Sequence, residues 1–321
     1  MKRFLIKITS FIGSLILIYF VFLYILSNQY VDGYYYKFTG YGNSLIIGLS
    51  RAHDGIVPSV LAKELGEKVI YDAPLVNYAF EKAQSPFGDI YLNAIRGKIN
   101  PSTTNGLFVI SITPGSFLAS EAMSDDDLIS KDKKMMIGKI NDFTSQPNYD
   151  YLMNCYAQSL YNVLFLEKNK DLNRIVHKDG WNEFKLSSKT YDVTSTDLLK
   201  WKNETIMGYT QITEKEKISN YRIQSFVKTI RYLKDKGNVF IVRMPVSSEV
   251  WSIENNYWGN FDHQFDSISK LYKIPYFNYS QNANAYQTYD GSHLVSESAI
   301  EFTKILAIDI ENELSSQANC Q

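Results

Sequence analysis

Ser44-Leu45-Ile46-Ile47-Gly48-Leu49-Ser50-Arg51-Ala52-His53 opens on a continuous apolar run and breaks into polar residues just after Gly48. A short run of that kind, closed by glycine, suits a parallel strand covered on both faces. A helical pattern follows through Val57 to Leu65 and stops at Gly66. The same rhythm continues outward. A second strand is expected at Lys68 to Tyr71. After a loop, a helix is expected to start at Ser85-Pro86, serine as cap and proline in the first turn, with Tyr91, Ile95 and Ile99 on one side. Leu107 to Ile112 reads as a third buried strand, broken by Thr113-Pro114-Gly115.

From about residue 117 to 210 the rhythm stops and the chain turns polar and helical, with the acidic run Asp125-Asp126-Asp127 and a mostly basic run from Lys131 to Lys134. This stretch reads as an insertion. Strand and helix then alternate again: a helix from about Glu214 to Lys234, a strand from Asn238 to Arg243, a helix through Phe261 to Leu271, a short strand from Ile274 to Phe277, and a last helix from about Glu297. Such alternation predicts an α/β fold, a doubly wound and mostly parallel sheet in three layers, which binds ligands at the carboxyl ends of its strands. The domain is expected to span 44–321.

The N-terminus carries a different signal. Lys2, Arg3 and Lys7 precede a stretch from Ile8 to Val31 that holds no charged residue. As a helix it spans roughly 36 Å, enough for a hydrocarbon core of about 30 Å. Residues 1–31 therefore read as a transmembrane signal anchor, and 32–43 as a short aromatic linker. A cleaved signal peptide is the competing reading, but the run is long and bulky Leu23-Tyr24-Ile25-Leu26 stands where small residues would mark cleavage. Cations on the amino side place the N-terminus in the cytoplasm and the rest outside, periplasmic or extracellular.

Composition narrows the function. The chain has 321 residues, 33 basic and 34 acidic, a net charge of -1. That balance, with no basic stripe, argues against nucleic acid as a partner. The 2 cysteines, Cys155 and Cys320, have no histidine at ligand spacing, so no zinc site is encoded and at most one optional bridge. No metal or other cofactor is expected.

Two short motifs fall at strand ends. Gly48-Leu49-Ser50 sets a serine in the turn between the first strand and its helix, where a helix N-terminus can stabilise developing negative charge. Asp290-Gly291-Ser292-His293 lies before the last helix, and an Asp three residues ahead of the His can hold the Nδ1 proton and leave Nε2 to take the serine proton. Either motif alone is a weak signal. Their joint placement at the two ends of an α/β chain is what points to nucleophilic catalysis.

On these residues the sequence resembles the SGNH (GDSL-type) hydrolase and acetyltransferase superfamily, and more narrowly its membrane-anchored DltD-like or polysaccharide-acylation branch. The matching stretches are Ile46 to His53, Asn77 to Tyr91 and Thr288 to Phe302, with Gly-x-Ser-Arg-Ala in place of Gly-Asp-Ser-Leu. The resemblance implies Ser50 as nucleophile, His293 as general base and Asp290 as its orienting partner. It also implies serine-dependent acyl transfer, an O-acetyl group added to or removed from a cell-surface glycan, with the acyl donor delivered by a multi-pass membrane acyltransferase. The chain departs from the family at the oxyanion hole. Ala83 stands where a glycine amide is usual, and Thr113 ends the third strand where an asparagine is usual. Ser50 and Ala83 amides, with Thr113 or Ser85 as hydroxyl donor, are the expected substitutes. Arg51 is a candidate for steadying an anionic substrate group or for a buried structural pair. His53, three residues past Ser50, ranks far below His293 as the base, Arg243 is a candidate to face the same cleft, and the turn His177-Lys178-Asp179-Gly180-Trp181 is a candidate lid or acceptor platform, its plainer reading being a surface turn with a half-buried Trp. The alternative from a different class is a catalytically silent, membrane-tethered scaffold or binding component of a glycan export or acylation complex.

The cations before the apolar run yield a topological expectation. A reporter that works only in the cytoplasm, fused after Gln321, is expected to be silent, while one that works only outside is expected to be active; the reverse pattern would invert the assignment.

Overall fold

The computed structural model describes residues 1–82, 84, 86–164, 173–282 and 285–319. In chain order, α1 (Lys2–Ser27) precedes β1 (Ser44–Ile47), α2 (Ser50–Gly55), α3 (Pro58–Leu65), β2 (Leu75–Asn77), α4 (Asp89–Lys98) and β3 (Gly106–Ser111). The next segment holds β4 (Leu118–Ser120), α5 (Asp125–Lys134), α6 (Tyr149–Asn154), the hairpin strands β5 (Arg174–Val176) and β6 (Asn182–Phe184), α7 (Ser195–Lys215) and β7 (Glu216–Ile218). The chain ends with α8 (Asn220–Lys234), β8 (Gly237–Arg243), α9 (Ser248–Tyr257), α10 (Phe261–Tyr272), β9 (Tyr276–Asn278) and α11 (Ser296–Asn319).

The fold is α/β. Five strands form one sheet in the order β2-β1-β3-β8-β9, and each neighbouring pair is parallel. Alternation along the strands divides the core. Leu45, Ile47, Phe108 and Ile110 face a cluster built with Tyr91, Ile95, Phe226 and Phe265 from α4, α8 and α10. Ile46, Leu107, Val109 and Val242 face the other way, against Leu61, Leu65, Phe302 and Leu306 from α3 and α11. All of β3 is buried, as a central parallel strand requires. The two small ribbons, β4 with β7 and β5 with β6, are antiparallel and lie outside this sheet.

Several elements depart from the sequence expectations. The second strand is not Lys68 to Tyr71 but Leu75–Asn77. Ile70 is 83% exposed, so the apolar pair Val69-Ile70 that suggested a strand has only one inward face. The helix expected at Ser85-Pro86 starts at Asp89 and takes Gly88 as its cap; Ser85 itself lies outside the described residues. The helix expected from Glu214 to Lys234 is two helices, α7 and α8, separated by β7, and the expected insertion boundary at 210 falls inside α7. Ser219 caps α8 by accepting from the Arg222 amide, which breaks a pattern that reads as continuous. Helix α9 had no expectation at all.

Helix α1 is long and apolar enough to cross a membrane, with a mean hydropathy of 2.3 over an 18-residue stretch. Most of its side chains are exposed, but Leu23 and Leu26 in its last turns are buried against the body. The segment read as a linker is itself packed: Tyr35, Lys37 and Phe38 are buried. Asp32 accepts from the Tyr34 and Tyr35 amides and from the Tyr151 hydroxyl. Cys155 is a free thiol, and Cys320 lies outside the described residues.

The turn after β1 has no room for a side chain. Gly48 has φ +147°, and a Cβ there would lie 2.7 Å from the Ser111 carbonyl oxygen on the neighbouring strand. Gly48→Ala combines that clash with a disfavoured backbone, so it is expected to destabilise the chain by about 1–3 kcal/mol or more. Thermal unfolding of the purified chain checks this; an unchanged midpoint would show that β1 and β3 can separate at little cost.

Candidate active site

Ser50 is the first residue of α2, directly beyond the carboxyl end of β1. The turn is held by backbone bonds, the Ala52 and His53 amides both donating to the Leu49 carbonyl at 3.0 and 3.1 Å. Tyr91 supports it from below, donating to the Tyr78 carbonyl at 2.6 Å and accepting from the Gly48 amide at 3.4 Å. A first helical amide has no intrahelical partner, which leaves the Ser50 N–H pointing out of the helix start.

The second half of the site comes from the loop before α11. Asp290 Oδ1 accepts from the Ser292 and His293 amides at 2.9 and 2.8 Å, closing a tight turn. Gly291 has φ +85°, which the turn needs, and its amide donates to Thr288 Oγ1 at 3.1 Å. The turn throws the imidazole back over its own carboxylate. His293 Nδ1 donates to Asp290 Oδ2 at 2.7 Å, and Ser50 Oγ donates to His293 Nε2 at 2.7 Å. The tautomer follows from this geometry, since the Nδ1 proton is held by the carboxylate. The Tyr289 ring stacks on the imidazole at 5.5 Å with 16° between planes and fixes its orientation.

The charges favour a basic histidine. Burial pushes His293 down, but the Asp290 carboxylate, by charge and by hydrogen bond, outweighs it and holds the imidazole above its ordinary value. Burial pushes Asp290 up, and His293 together with the two loop amides outweighs that, so the carboxyl sits below its ordinary value. Asp290 is thus a carboxylate at neutral pH.

The other candidates occupy distinct places. Arg51 is 3% exposed and lines the small cavity beside Ser50, with its guanidinium held in a buried network: Nε donates to Ser292 Oγ at 3.0 Å, while Nη2 donates to Tyr209 Oη at 2.8 Å and Glu254 Oε1 at 2.6 Å. Thr113 lines the same small cavity as Ser50, but its amide and hydroxyl also form a capping box with Ser116 at the start of a short 3-10 turn. Ala83 and Ser85 lie outside the described residues. His53 is buried and stacked on Tyr34 at 5.7 Å, while His293 holds the serine. Arg243 does not face the cleft; it is fully buried between Glu254 at 3.3 Å and Asp262 at 2.6 Å. The 177–181 turn is a fixed wall. Trp181 is buried, stacks on His177 and donates from Nε1 to the Asp54 carbonyl at 2.8 Å.

Sequence reasoning missed the residues that hold the wall. Asp54, one turn beyond Ser50 in α2, accepts from Asn182 Nδ2 and from Tyr289 Oη, each at 2.8 Å, and pairs with Arg174 at 3.6 Å. Tyr209 and Glu254 were missed too, since nothing local marks them. Ser292 stood inside the recognised motif and carried its own signal.

Ser50 lies where two cavities meet. One is small and mostly apolar, about 60 Å³, lined by residues such as Leu49, Pro114, Leu118, Ile212 and Ile253. The other, about 290 Å³, is polar and holds His53, Asp54, Glu81, Arg174, Asn182 and His293. Among the described residues no group of three or more His, Cys, Asp or Glu side chains is arranged to hold a metal ion. Compared with known protein families and with curated proteins, the chain gives no match.

A serine–histidine pair of this kind works only with a neutral imidazole. Hydrolysis of a small acetyl ester is expected to rise with pH through a midpoint above about 6.5, the unperturbed histidine value. Asp290→Asn removes the charge that favours imidazolium, so the midpoint is expected to move down while the plateau rate falls. A pH–rate profile of both proteins reads this, and coincident midpoints would separate Asp290 from the base.

Proposed function

We propose that the chain is an SGNH-type serine O-acyltransferase or esterase that acts on a cell-surface glycan. The observation that carries the reading is the unbroken run from Asp290 through His293 to Ser50, with both links at 2.7 Å. Support also comes from the parallel sheet, with Ser50 just beyond the carboxyl end of its first strand, and from the apolar helix α1, which would tether the body to the outer face of the membrane.

The chemistry follows from the groups in reach. Ser50 Oγ attacks the carbonyl carbon of an acyl donor as its proton passes to His293 Nε2, and Asp290 stabilises the imidazolium that forms. The tetrahedral intermediate's oxyanion takes hydrogen bonds from the Ser50 amide and a hydroxyl, for which Thr113 is the nearest candidate on the apolar side. The intermediate collapses when the donor's C–O bond breaks and the leaving alkoxide takes the proton from His293. A glycan hydroxyl then attacks the acyl-serine, gives its proton to His293 and receives the acyl group, while Ser50 Oγ recovers the proton. Water in place of the glycan gives hydrolysis. The polar cleft on the His293 side, with Glu81, Arg174 and Asn182 on its walls, suits a hydroxyl-rich acceptor. A multi-pass membrane acyltransferase is the proposed source of the donor.

The test is reactivity. Ser50 is expected to be labelled by a fluorophosphonate probe. Ser50→Ala and His293→Ala are each expected to lower turnover of an acetyl ester at least about 1000-fold, with the double variant no worse than either alone. An unlabelled wild-type serine and no turnover would instead support the silent scaffold.

A further inference from the structure

We infer that the small apolar cavity beside Ser50 is the acyl subsite and that it limits the transferred group to a short acyl chain; this rests on the serine acyltransferase reading above. The argument begins with the position of the base. His293 must serve the serine oxygen in one half of the reaction and the alkoxy or acceptor oxygen in the other, so both oxygens lie on the side His293 occupies. His293 lines the polar cavity and not the apolar one. With the alkoxy group on the polar side, the substituent on the other side of the carbonyl carbon points away from His293. That direction is the apolar cavity, which Ser50 also lines.

Its walls fit hydrocarbon. Leu49, Pro114, Leu118, Ile212 and Ile253 supply the surface. Most polar capacity at its edge is taken up: Tyr209 Oη is bonded to Arg51 and Ser292, and Glu254 to Arg51 and Arg243, while Arg51 Nη1 is a buried donor without a partner. A sugar entering here would bury several hydroxyls against a mostly apolar wall with one unpaired donor, Arg51 Nη1, to meet them, whereas an alkyl chain asks for no partner. The volume sets the length. Against the roughly 150 Å³ that takes the six carbons of benzene, a cavity of about 60 Å³ takes roughly two or three carbons beyond the carbonyl. An acetyl to butyryl group fits and a hexanoyl group does not.

Two of the apolar lining side chains come from different elements, Ile212 on α7 and Ile253 on α9. The experiment compares kcat/KM for p-nitrophenyl acetate, butyrate, hexanoate and octanoate on the full chain in detergent. Wild type is expected to lose at least about tenfold between butyrate and hexanoate. Ile253→Ala is expected to move that fall to a longer chain, and Ile212→Phe to a shorter one. Leu118→Ala serves if Ile253→Ala does not unfold cooperatively. Ser50-dependent turnover with a flat profile, or a fall that no variant moves, overturns the inference and leaves the enzyme reading standing. Absence of Ser50-dependent turnover on every ester removes that reading and the subsite with it.

Discussion

A cation buried beside Ser50 joins the two halves of the candidate site. Arg51 follows Ser50 in sequence, and its guanidinium reaches Ser292, Tyr209 and Glu254. Ser292 sits between Asp290 and His293, so one side chain ties the start of the sheet to a loop 241 residues away. Burial opposes the charge on Arg51, and Glu254 overcomes it, so the guanidinium stays fully protonated. The pair continues outward: Glu254 also meets Arg243, and Arg243 meets Asp262. Positive and negative charges alternate along this row, and no member is left uncompensated. Losing one partner of such a buried pair costs about 3–5 kcal/mol. The cost would fall on the alignment of Ser50 with His293, since the row lies directly behind both.

On the other face of the cleft, polar side chains do the same work for the segment between β3 and α8. The β5–β6 hairpin is anchored at Asp54 through Asn182, Trp181 and Arg174. Its turn is anchored a second time. Lys37 is fully buried, pushed well below the usual lysine range by burial, and donates to the carbonyls of Asn77 at 2.6 Å and Gly180 at 2.5 Å. Asn77 in turn donates to the Ala52 and Ile56 carbonyls around α2. Gly180 cannot be exchanged freely, with φ +87° and a would-be Cβ 2.3 Å from the Asn77 oxygen. The hairpin is therefore a wall built into the site. Lifting it as a lid would expose Lys37 and Asp54 without their partners, at several kcal/mol.

What the sequence revealed follows from how local each signal is. Ser50, Asp290 and His293 were legible because each motif is a turn of a few residues that explains itself: a glycine with no room for Cβ, and a carboxylate bonding the amides two and three residues on. The strands of the sheet were legible where both faces are buried, as in β3, and not where the run is brief, as in β2. Arg51, Arg243 and Glu254 were visible only as charges. Whether a charge meets substrate or another charge depends on elements far apart in sequence, which no single stretch encodes. The junction of α7, β7 and α8 failed for a related reason. Its residues keep a helical pattern throughout, and the break is made by the Ser219 cap together with pairing to β4.

The two histidines near Ser50 show how neighbours, and not sequence distance, assign the role of base. His53 lies one helical turn from the serine, yet burial, with Lys37, Arg174 and His293 close by, drives it well below the ordinary histidine range. It stays neutral and packs on Tyr34. His293 is equally enclosed, and burial opposes its charge too, but Asp290 reverses the balance. A base must accept a proton in one step and give it up in the next, so it needs a charged form that the site can tolerate. Only the histidine with a carboxylate behind it has one. Burial, with the charged groups around His53 adding to it, thus disfavours a charged His53, and the hydrogen bond from Ser50 goes to His293.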